Sequence, residues 1–253
     1  MRRGWLPILA LQALILGGCC RPPVPPSPAS IVSSWARLGM YLPPASDVAA
    51  IRAGLPASLG ALRRGLSDED EGTRTRSAYV AEELAADATG LAPDIVARLA
   101  EERIPIVRVY LASAIAAVGV GTPESLAALS RLFGREADEQ VKTALAGALV
   151  RLDSPKGQPE AMAWLIDSLR AFPPSPASDL ERSSLFWERR HGATRHFRHV
   201  PEAEAAVLPL LKALRDDPRT PTWVVEQQVS KAIAEMERRA GQSAERSPGR
   251  TGR

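Results

Sequence analysis

The sequence predicts an all-α protein in which about four to five antiparallel helix pairs stack into an α-solenoid. Three observations favour this fold class. Ala, Leu, Arg and Glu are abundant while aromatic residues make up 5% of the 253 residues, a composition that favours helices over sheets. Ala-rich segments with one shared pattern of apolar positions recur along the chain, and turn residues separate them.

Residues 1–18 have the composition of an export signal. Arg2 and Arg3 form a positively charged start, and the stretch from Trp5 to Leu16 is mainly apolar. As a helix, the stretch from Trp5 to Gly18 would reach about 21 Å, whereas the hydrocarbon layer of a membrane is roughly 30 Å thick. We therefore expect a cleaved signal peptide rather than a permanent membrane span.

The four residues Leu16-Gly17-Gly18-Cys19 end this segment. They resemble the lipobox of bacterial lipoproteins, in which small residues precede the cysteine that becomes the lipid-modified N-terminus. The resemblance implies that Cys19 carries the lipid; an ordinary secretory signal with a chance cysteine is the alternative. Apart from Cys20 the chain has no other cysteine, so we expect stability from packing and not from disulfides.

The lipobox interpretation places the chain at the cell membrane or the outer membrane, lipid-anchored on the periplasmic or extracytoplasmic face. Residues 19–30 then form the lipidated cysteine and a Pro-rich linker, whose prolines favour an extended spacer. Loss of Arg2 and Arg3 leaves 30 basic and 29 acidic residues, a net charge of about +1. Nucleic acid is therefore not an expected partner.

Three segments after the linker repeat the same helical pattern. Their apolar positions fall at i, i+4, i+7 and i+8, which draws one apolar stripe along a helix. The segments are Val107–Ile115, Val141–Leu149 and Val225–Ile233, and a weaker copy begins at Thr75. The first three starts are 32 and 34 residues apart, a period typical of helix-pair repeats.

A second amphipathic segment precedes each copy, and turn residues mark the boundaries. These preceding segments are Leu59–Leu66, Ile95–Leu99, Leu126–Phe133 and Val207–Leu214. Pro93 and Pro105 predict helix starts, and Gly119 predicts a helix end. Thr122 and Thr220, each followed by proline, predict capping hydroxyls. The chain is thus expected to alternate helix, turn and helix.

These features resemble HEAT and HEAT-like repeats, whose unit joins a Leu-rich first helix to an Ala-rich second helix that begins with Val-Arg. Leu208-Pro209-Leu210-Leu211 and Val107-Arg108 carry the resemblance. It implies that Arg108 and Lys142 pair with acidic residues of the turns. Armadillo-like α-solenoids and an ordinary helical bundle remain alternatives.

The repeat domain is expected to span residues 31–239. A stripe of four apolar residues could cover its first unit: Ile31, Trp35, Leu38 and Leu42. Residues 240–253 are rich in Ser, Gly and Arg, a composition that predicts a disordered basic tail.

An insertion at about residues 173–201 interrupts the pattern. Its arginines are candidate anion-binding residues, because guanidinium groups bind carboxylates and phosphates: Arg189, Arg190, Arg195 and Arg198. His191, His196 and His199 are the candidate metal ligands, but no Cys and few acids accompany them, so no metal or other cofactor is expected. The alternative is a solvated loop whose Trp187 and Phe197 pack on the repeats.

No motif of a serine hydrolase, a P-loop nucleotide-binding protein or a zinc protease occurs in the sequence. We therefore expect no enzyme, but a monomeric, envelope-anchored scaffold or adaptor that binds an unidentified protein partner. Two alternatives remain. One is a binding module for an anionic ligand, such as a cell-wall polymer or a lipid headgroup. The other is a lyase-type enzyme, because some HEAT-like proteins are lyases or glycosylases.

Overall fold

A computed structural model describes residues 26–35, 42–119, 121–170, 192–197 and 200–245. Within these ranges the protein is all-helical and has no strands, which confirms the predicted all-α class. The first six helices are α1 (Pro28–Ser34), α2 (Ala45–Ala53), α3 (Ser58–Leu66), α4 (Glu71–Leu84), α5 (Ala92–Glu101) and α6 (Pro105–Val118). None of the described helices combines the length and the apolar character needed to cross a membrane.

The second half of the chain continues the helical pattern. It contains α7 (Pro123–Arg135), α8 (Glu139–Leu152), α9 (Pro159–Arg170), α10 (residues 192–197), α11 (Glu204–Asp216) and α12 (Ser230–Glu245). One helical turn, Thr222–Val224, and a π-helical segment, Val225–Val229, lead directly into α12. Short 3₁₀ segments, Ala85–Leu91 and Pro201–Ala203, precede α5 and α11.

Three helices of equal length form a central row, with α6 packed against both α4 and α8. Each has 14 residues, and their first residues, Glu71, Pro105 and Glu139, lie 34 positions apart. Side chains at the repeated apolar positions of α6 and α8 are fully buried: Val107, Leu111, Val141 and Leu145. The spacing of 34 residues is therefore constant across the row.

The weaker copy was predicted two residues too late. Thr73, not Thr75, is the third residue of α4, the position that Val107 and Val141 hold in α6 and α8. Ser77 stands where the other two helices have leucine. The apolar stripe of α4 is thus weakened at two positions, and pattern matching moved the alignment to the next run of apolar residues.

A second layer of helices lies along the central row. In this layer α3 packs against α5, and α5 packs against α7. Each of them also packs against the central helix that follows it in the chain, so that α3 contacts α4, α5 contacts α6, and α7 contacts α8. All four predicted preceding segments lie within helices, namely α3, α5, α7 and α11.

Most of the predicted helix boundaries are confirmed. Pro93 and Pro105 lie in the first turns of their helices, and Gly119 ends α6 in the left-handed conformation, with φ of 80°. The Thr122 hydroxyl accepts a hydrogen bond from the Ser125 amide at 3.2 Å, as an N-cap does. The prediction for Thr220 is wrong, because its hydroxyl donates to the Leu214 carbonyl at 2.7 Å and closes the end of α11 instead.

The predicted N-terminal cover is present only in part. Ile31 and Trp35 are buried, and the Trp35 Nε1 group donates to Asp47 Oδ2 at 3.0 Å, which ties α1 to α2. Leu42 is 43% exposed and lies outside α1, so its place in the stripe was predicted wrongly. Leu38 lies outside the described residues.

The last repeat copy is helical and buried where the pattern predicts. Val229 and Ile233 are buried on the side that faces α11, although the segment from Val225 to Val229 is π-helical rather than α-helical. Helix α12 continues past Arg239 to Glu245, into the segment that composition predicts to be a disordered tail. Residues 246–253 lie outside the described ranges.

One arginine–glutamate pair recurs at the same step of the repeat. Arg74 of α4 donates through Nε to Glu102 Oε2 at 2.8 Å, and Glu102 lies in the turn before α6. Arg108 of α6 forms an ion pair with Glu136, in the turn before α8. Both pairs join residues 28 positions apart in the chain. The expected pairing of Arg108 with a turn acid is therefore confirmed.

Lys142 does not follow the predicted pairing. Its Nζ lies 4.5 Å from the centre of the Trp164 ring and 5.2 Å from the centre of the Phe133 ring. Aromatic faces attract cations through their quadrupole. The Trp164 ring is itself held by a hydrogen bond from its Nε1 to Thr143 Oγ1 at 3.2 Å. The row of ion pairs thus ends at α8 in a contact between a cation and two rings.

Glu102 is the most fully satisfied carboxylate of this row. Its side chain is 2% exposed, and it accepts from Arg74, from Arg98 and from the backbone amides of Arg103 and Ile104. Burial alone would raise the pKa of this carboxyl, but the four donors outweigh burial and lower the pKa to about 2, from 4.5. The charged form is therefore built into the folded state.

We predict that Glu102→Gln lowers the free energy of unfolding by about 3 kcal/mol at pH 7, since one pKa unit corresponds to about 1.4 kcal/mol. Because the pKa of Glu102 is lower in the folded state, its contribution is present above pH 4.5 and is lost as the pH falls towards 2. Urea unfolding of the parent and the variant across this range should show the difference shrinking.

The matched control is Glu101→Gln, because Glu101 is the neighbouring residue and is exposed. Its effect should stay within about 0.5 kcal/mol, as is usual for surface positions. Equal effects of the two substitutions at pH 7 would contradict the structural role assigned to Glu102.

Candidate functional site

Helix α10 lies within the insertion that interrupts the repeat pattern, and it is packed against the body of the protein. Ala193 and Phe197 are fully buried, and His196 is 7% exposed. The packing of Phe197 is as predicted, whereas Trp187 lies outside the described residues. Residues 192–197 are thus a buried helix and not the solvated loop considered as an alternative.

Gly147 of α8 provides the seat for α10. A Cβ atom at this position would lie 2.1 Å from Cγ and 2.2 Å from Nδ1 of His196, closer than atoms can approach. The imidazole ring therefore lies directly against the backbone of α8. One turn earlier, a Cβ on Gly192 would lie 3.4 Å from Thr143 Cγ2, so α10 follows α8 over a full turn.

Arg195 points from α10 to the end of α4. Its guanidinium Nη2 forms a hydrogen-bonded ion pair with Glu82 Oε1, across 113 positions of the chain. The Glu82 side chain is 13% exposed and that of Arg195 is 34% exposed. The other carboxylate oxygen, Glu82 Oε2, is buried and has no hydrogen-bond partner among the described residues.

Two further side chains complete a group around this ion pair. Tyr110, in the middle of α6, lies near enough for its phenol to respond to the charges of Glu82 and Arg195. Arg151, in the last turn of α8, responds in the same way to both. We call these four residues the Glu82 cluster: Glu82, Tyr110, Arg151 and Arg195. It draws one residue from each of α4, α6, α8 and α10.

Neighbouring aromatic and acidic groups border the Glu82 cluster on the α4 side. The ring of Tyr79 meets that of Tyr110 edge to face, with 6.3 Å between ring centres, and the Tyr79 hydroxyl is hydrogen-bonded to Glu83. Glu83 is exposed, so water and salt screen its charge. The two tyrosine rings therefore form an apolar edge beside the charged groups.

Burial shifts the titration of each cluster member. Burial raises the pKa of Glu82, and the adjacent Arg195 only partly offsets it. Burial lowers the pKa of Arg151, with Glu82 opposing that shift and Arg195 adding to it. Burial also raises the pKa of Tyr110. The phenol is thus a neutral hydrogen-bond donor at neutral pH.

The Glu82 cluster carries more positive than negative charge. Two guanidinium groups approach one carboxylate, and only Arg195 is bonded to it. Arg151 makes no hydrogen bond or ion pair with the residues that the structure describes, and neither does the hydroxyl of Tyr110. The arrangement therefore offers unused donors beside a partly neutralised carboxylate, and such a group is suited to bind an anion.

The structure describes only part of the predicted sites. Arg195 and His196 lie in α10, whereas Arg189, Arg190, Arg198, His191, His199 and Cys19 lie outside the described residues. In the described ranges no group of three His, Cys, Asp or Glu side chains could hold a metal ion. Glu82, Tyr110 and Arg151 were not predicted as site residues. Comparisons with models of known protein families and with curated protein sequences found no match.

We predict that Gly147→Ala destabilises the protein by about 1–3 kcal/mol, because the added methyl group would overlap the His196 ring. Urea unfolding measures the loss. The double variant Gly147→Ala with His196→Ala should recover part of it, since removal of the ring opens space for the methyl group.

Gly134→Ala is the control, because nothing lies within 4 Å of the position that its Cβ would take in α7. Helical Gly→Ala changes of this kind stabilise by roughly 0.5–1 kcal/mol. If Gly147→Ala were as stable as Gly134→Ala, the contact between α8 and α10 would be refuted.

Proposed function

We propose that the chain is an envelope-anchored lipoprotein whose HEAT-like helical repeats act as a protein-binding scaffold or adaptor. In this proposal residues 1–18 are a signal peptide, Cys19 carries the lipid, and the body binds a protein partner without catalysing a reaction. The protein then works at the extracytoplasmic face of the cell membrane or the outer membrane. The repeated helices supply the binding surface.

The constant step of the central row is the observation that carries the proposal. Helices α4, α6 and α8 have equal lengths and a spacing of 34 residues, and an Arg–Glu pair joins each helix to the turn before the next. Helix pairs that repeat in this way stack on their neighbours and form extended binding surfaces. This regularity supports an α-solenoid of about four to five antiparallel helix pairs over a single irregular bundle.

The pairing of the layers gives further support. Each of α3, α5 and α7 packs on the central helix that follows it and on the next helix of its own layer. A unit of two short helices cannot bury its apolar face alone, so contacts between successive units must supply the stability. The full burial of Leu111 and Leu145 agrees with such stacking.

The anchor is supported by the sequence alone. Leu16-Gly17-Gly18-Cys19 carries the resemblance to a lipobox, and the prolines from Pro22 to Pro28 would hold the folded body away from the membrane. A lipid on Cys19 would keep the chain at the surface without a spanning helix, although stable anchoring by lipid requires more than one acyl chain.

A second candidate is a binding module for an anionic ligand, such as a cell-wall polymer or a lipid headgroup. It would use the arginines of the insertion: Arg189, Arg190, Arg195 and Arg198. The convergence of Arg195 and Arg151 on one carboxylate favours this candidate. Replacement of all four arginines should abolish polymer or headgroup binding and leave protein capture unchanged.

The anchor is tested by Cys19→Ser, with Cys20→Ser as the matched control at the adjacent position. The parent and Cys20→Ser should fractionate with membranes, and their intact mass should show a chain that begins at residue 19 and carries lipid. Cys19→Ser should lack the lipid and lose stable membrane attachment. A parent chain without lipid, or a Cys19→Ser chain with unchanged lipid, would contradict the proposal.

The scaffold itself is tested with the same variants, because the folded body does not include Cys19. Proteins cross-linked to the parent in native membranes should bind the purified Cys19→Ser chain saturably. If none of the cross-linked proteins binds the lipid-free chain, the scaffold proposal is wrong, whatever the outcome for the anchor.

A further inference from the structure

We propose that the Glu82 cluster is a binding site for a single carboxylate group, with Arg151 and Tyr110 as the residues that contact it. The site stands apart from the scaffold proposal, because its residues belong to the folded body and not to the anchor. It shares Arg195 with the second candidate function but differs in its ligand, its centre and its helices.

The first argument is the unused donor capacity of Arg151. This side chain is half-buried in the last turn of α8, and it makes no hydrogen bond or ion pair with any described residue. A guanidinium group has five N–H donors in a fixed plane, and burying such a group without partners is costly. A bound carboxylate would accept two of these hydrogen bonds side by side.

The second argument is that Glu82 does not serve as this partner. Its Oε1 is bonded to Arg195, and its Oε2 is buried and has no hydrogen-bond partner among the described residues. Arg151 therefore lies within the electric field of Glu82 without being bonded to it. Its donors remain available to a ligand that approaches from the solvent side.

The third argument concerns the kind of anion. Two guanidinium groups and one carboxylate leave the Glu82 cluster with one excess positive charge, and the exposed Glu83 lies close by. A monoanionic carboxylate would neutralise this excess. A phosphate dianion would exceed it and would be repelled by Glu82 and Glu83. The Tyr110 hydroxyl adds a neutral donor, which suits a carboxylate oxygen.

The test uses the full chain labelled with ¹⁵N and follows the arginine Nε–H signals during titration with sodium acetate, with sodium chloride at equal ionic strength as the reference. Acetate should produce a saturable shift of the Arg151 and Arg195 signals, and chloride should not. In Arg151→Gln the Arg195 signal should respond to acetate about tenfold more weakly, the loss expected for a charged hydrogen bond.

Arg131→Gln is the matched control, because Arg131 is exposed on α7 and makes no hydrogen bond or ion pair with a described residue. This variant should bind acetate like the parent. Tyr110→Phe should weaken binding several-fold, and it provides a second test if Arg151→Gln does not fold. Glu82→Gln should strengthen acetate binding and allow inorganic phosphate to bind, because it removes the competing charge.

Three results would overturn the inference: shifts that rise linearly with acetate, an Arg151→Gln chain that titrates like the parent, or a Glu82→Gln chain that binds acetate more weakly. None of them would affect lipid attachment at Cys19 or protein capture by the Cys19→Ser chain. Failure of the carboxylate site is therefore distinguishable from failure of the scaffold proposal.

Discussion

The close packing of α4, α6 and α8 is the constraint on which the rest of the structure depends. Side chains at their shared positions are small or unbranched at the contacts, and α8 is buried at every position from Thr143 to Val150. Helices can approach this closely only when Ala, Gly or Ser lie between them. The equal length and constant spacing of the three helices follow, because each helix must present the same surface to the next.

The ion pairs and the Glu82 cluster both depend on this row. Glu102 and Glu136 meet the arginines of the preceding helix because each turn recurs at the same place in the repeat. Beyond α8 the series changes, since Lys142 rests on two aromatic rings and α10 takes its seat on Gly147. The position of α10 brings Arg195 to Glu82, so the candidate site exists only where the regular repeat gives way to the insertion.

The fold was largely predictable from the sequence, whereas the site was predictable only in part. Apolar spacing, first-turn prolines and Gly119 locate most helices because these signals act within a few residues. The shifted start of α4 was missed because Thr73 and Ser77 replace apolar residues. Arg195 was found in an arginine-rich segment, but its partner lies 113 positions away, and a single sequence carries no signal for such a contact. Charged Arg151 in an Ala-rich helix was the one local clue.

Amide hydrogen exchange under native conditions tests the packed central row most directly. If α4, α6 and α8 form one cooperative unit, the slowest amides of the three helices should open with the same free energy, equal to that of global unfolding, and α1 should open more easily. The fully buried segment from Val141 to Val150 is the decisive region. Exchange of α8 with a free energy well below that of α6, or close to that of α1, would contradict a shared core.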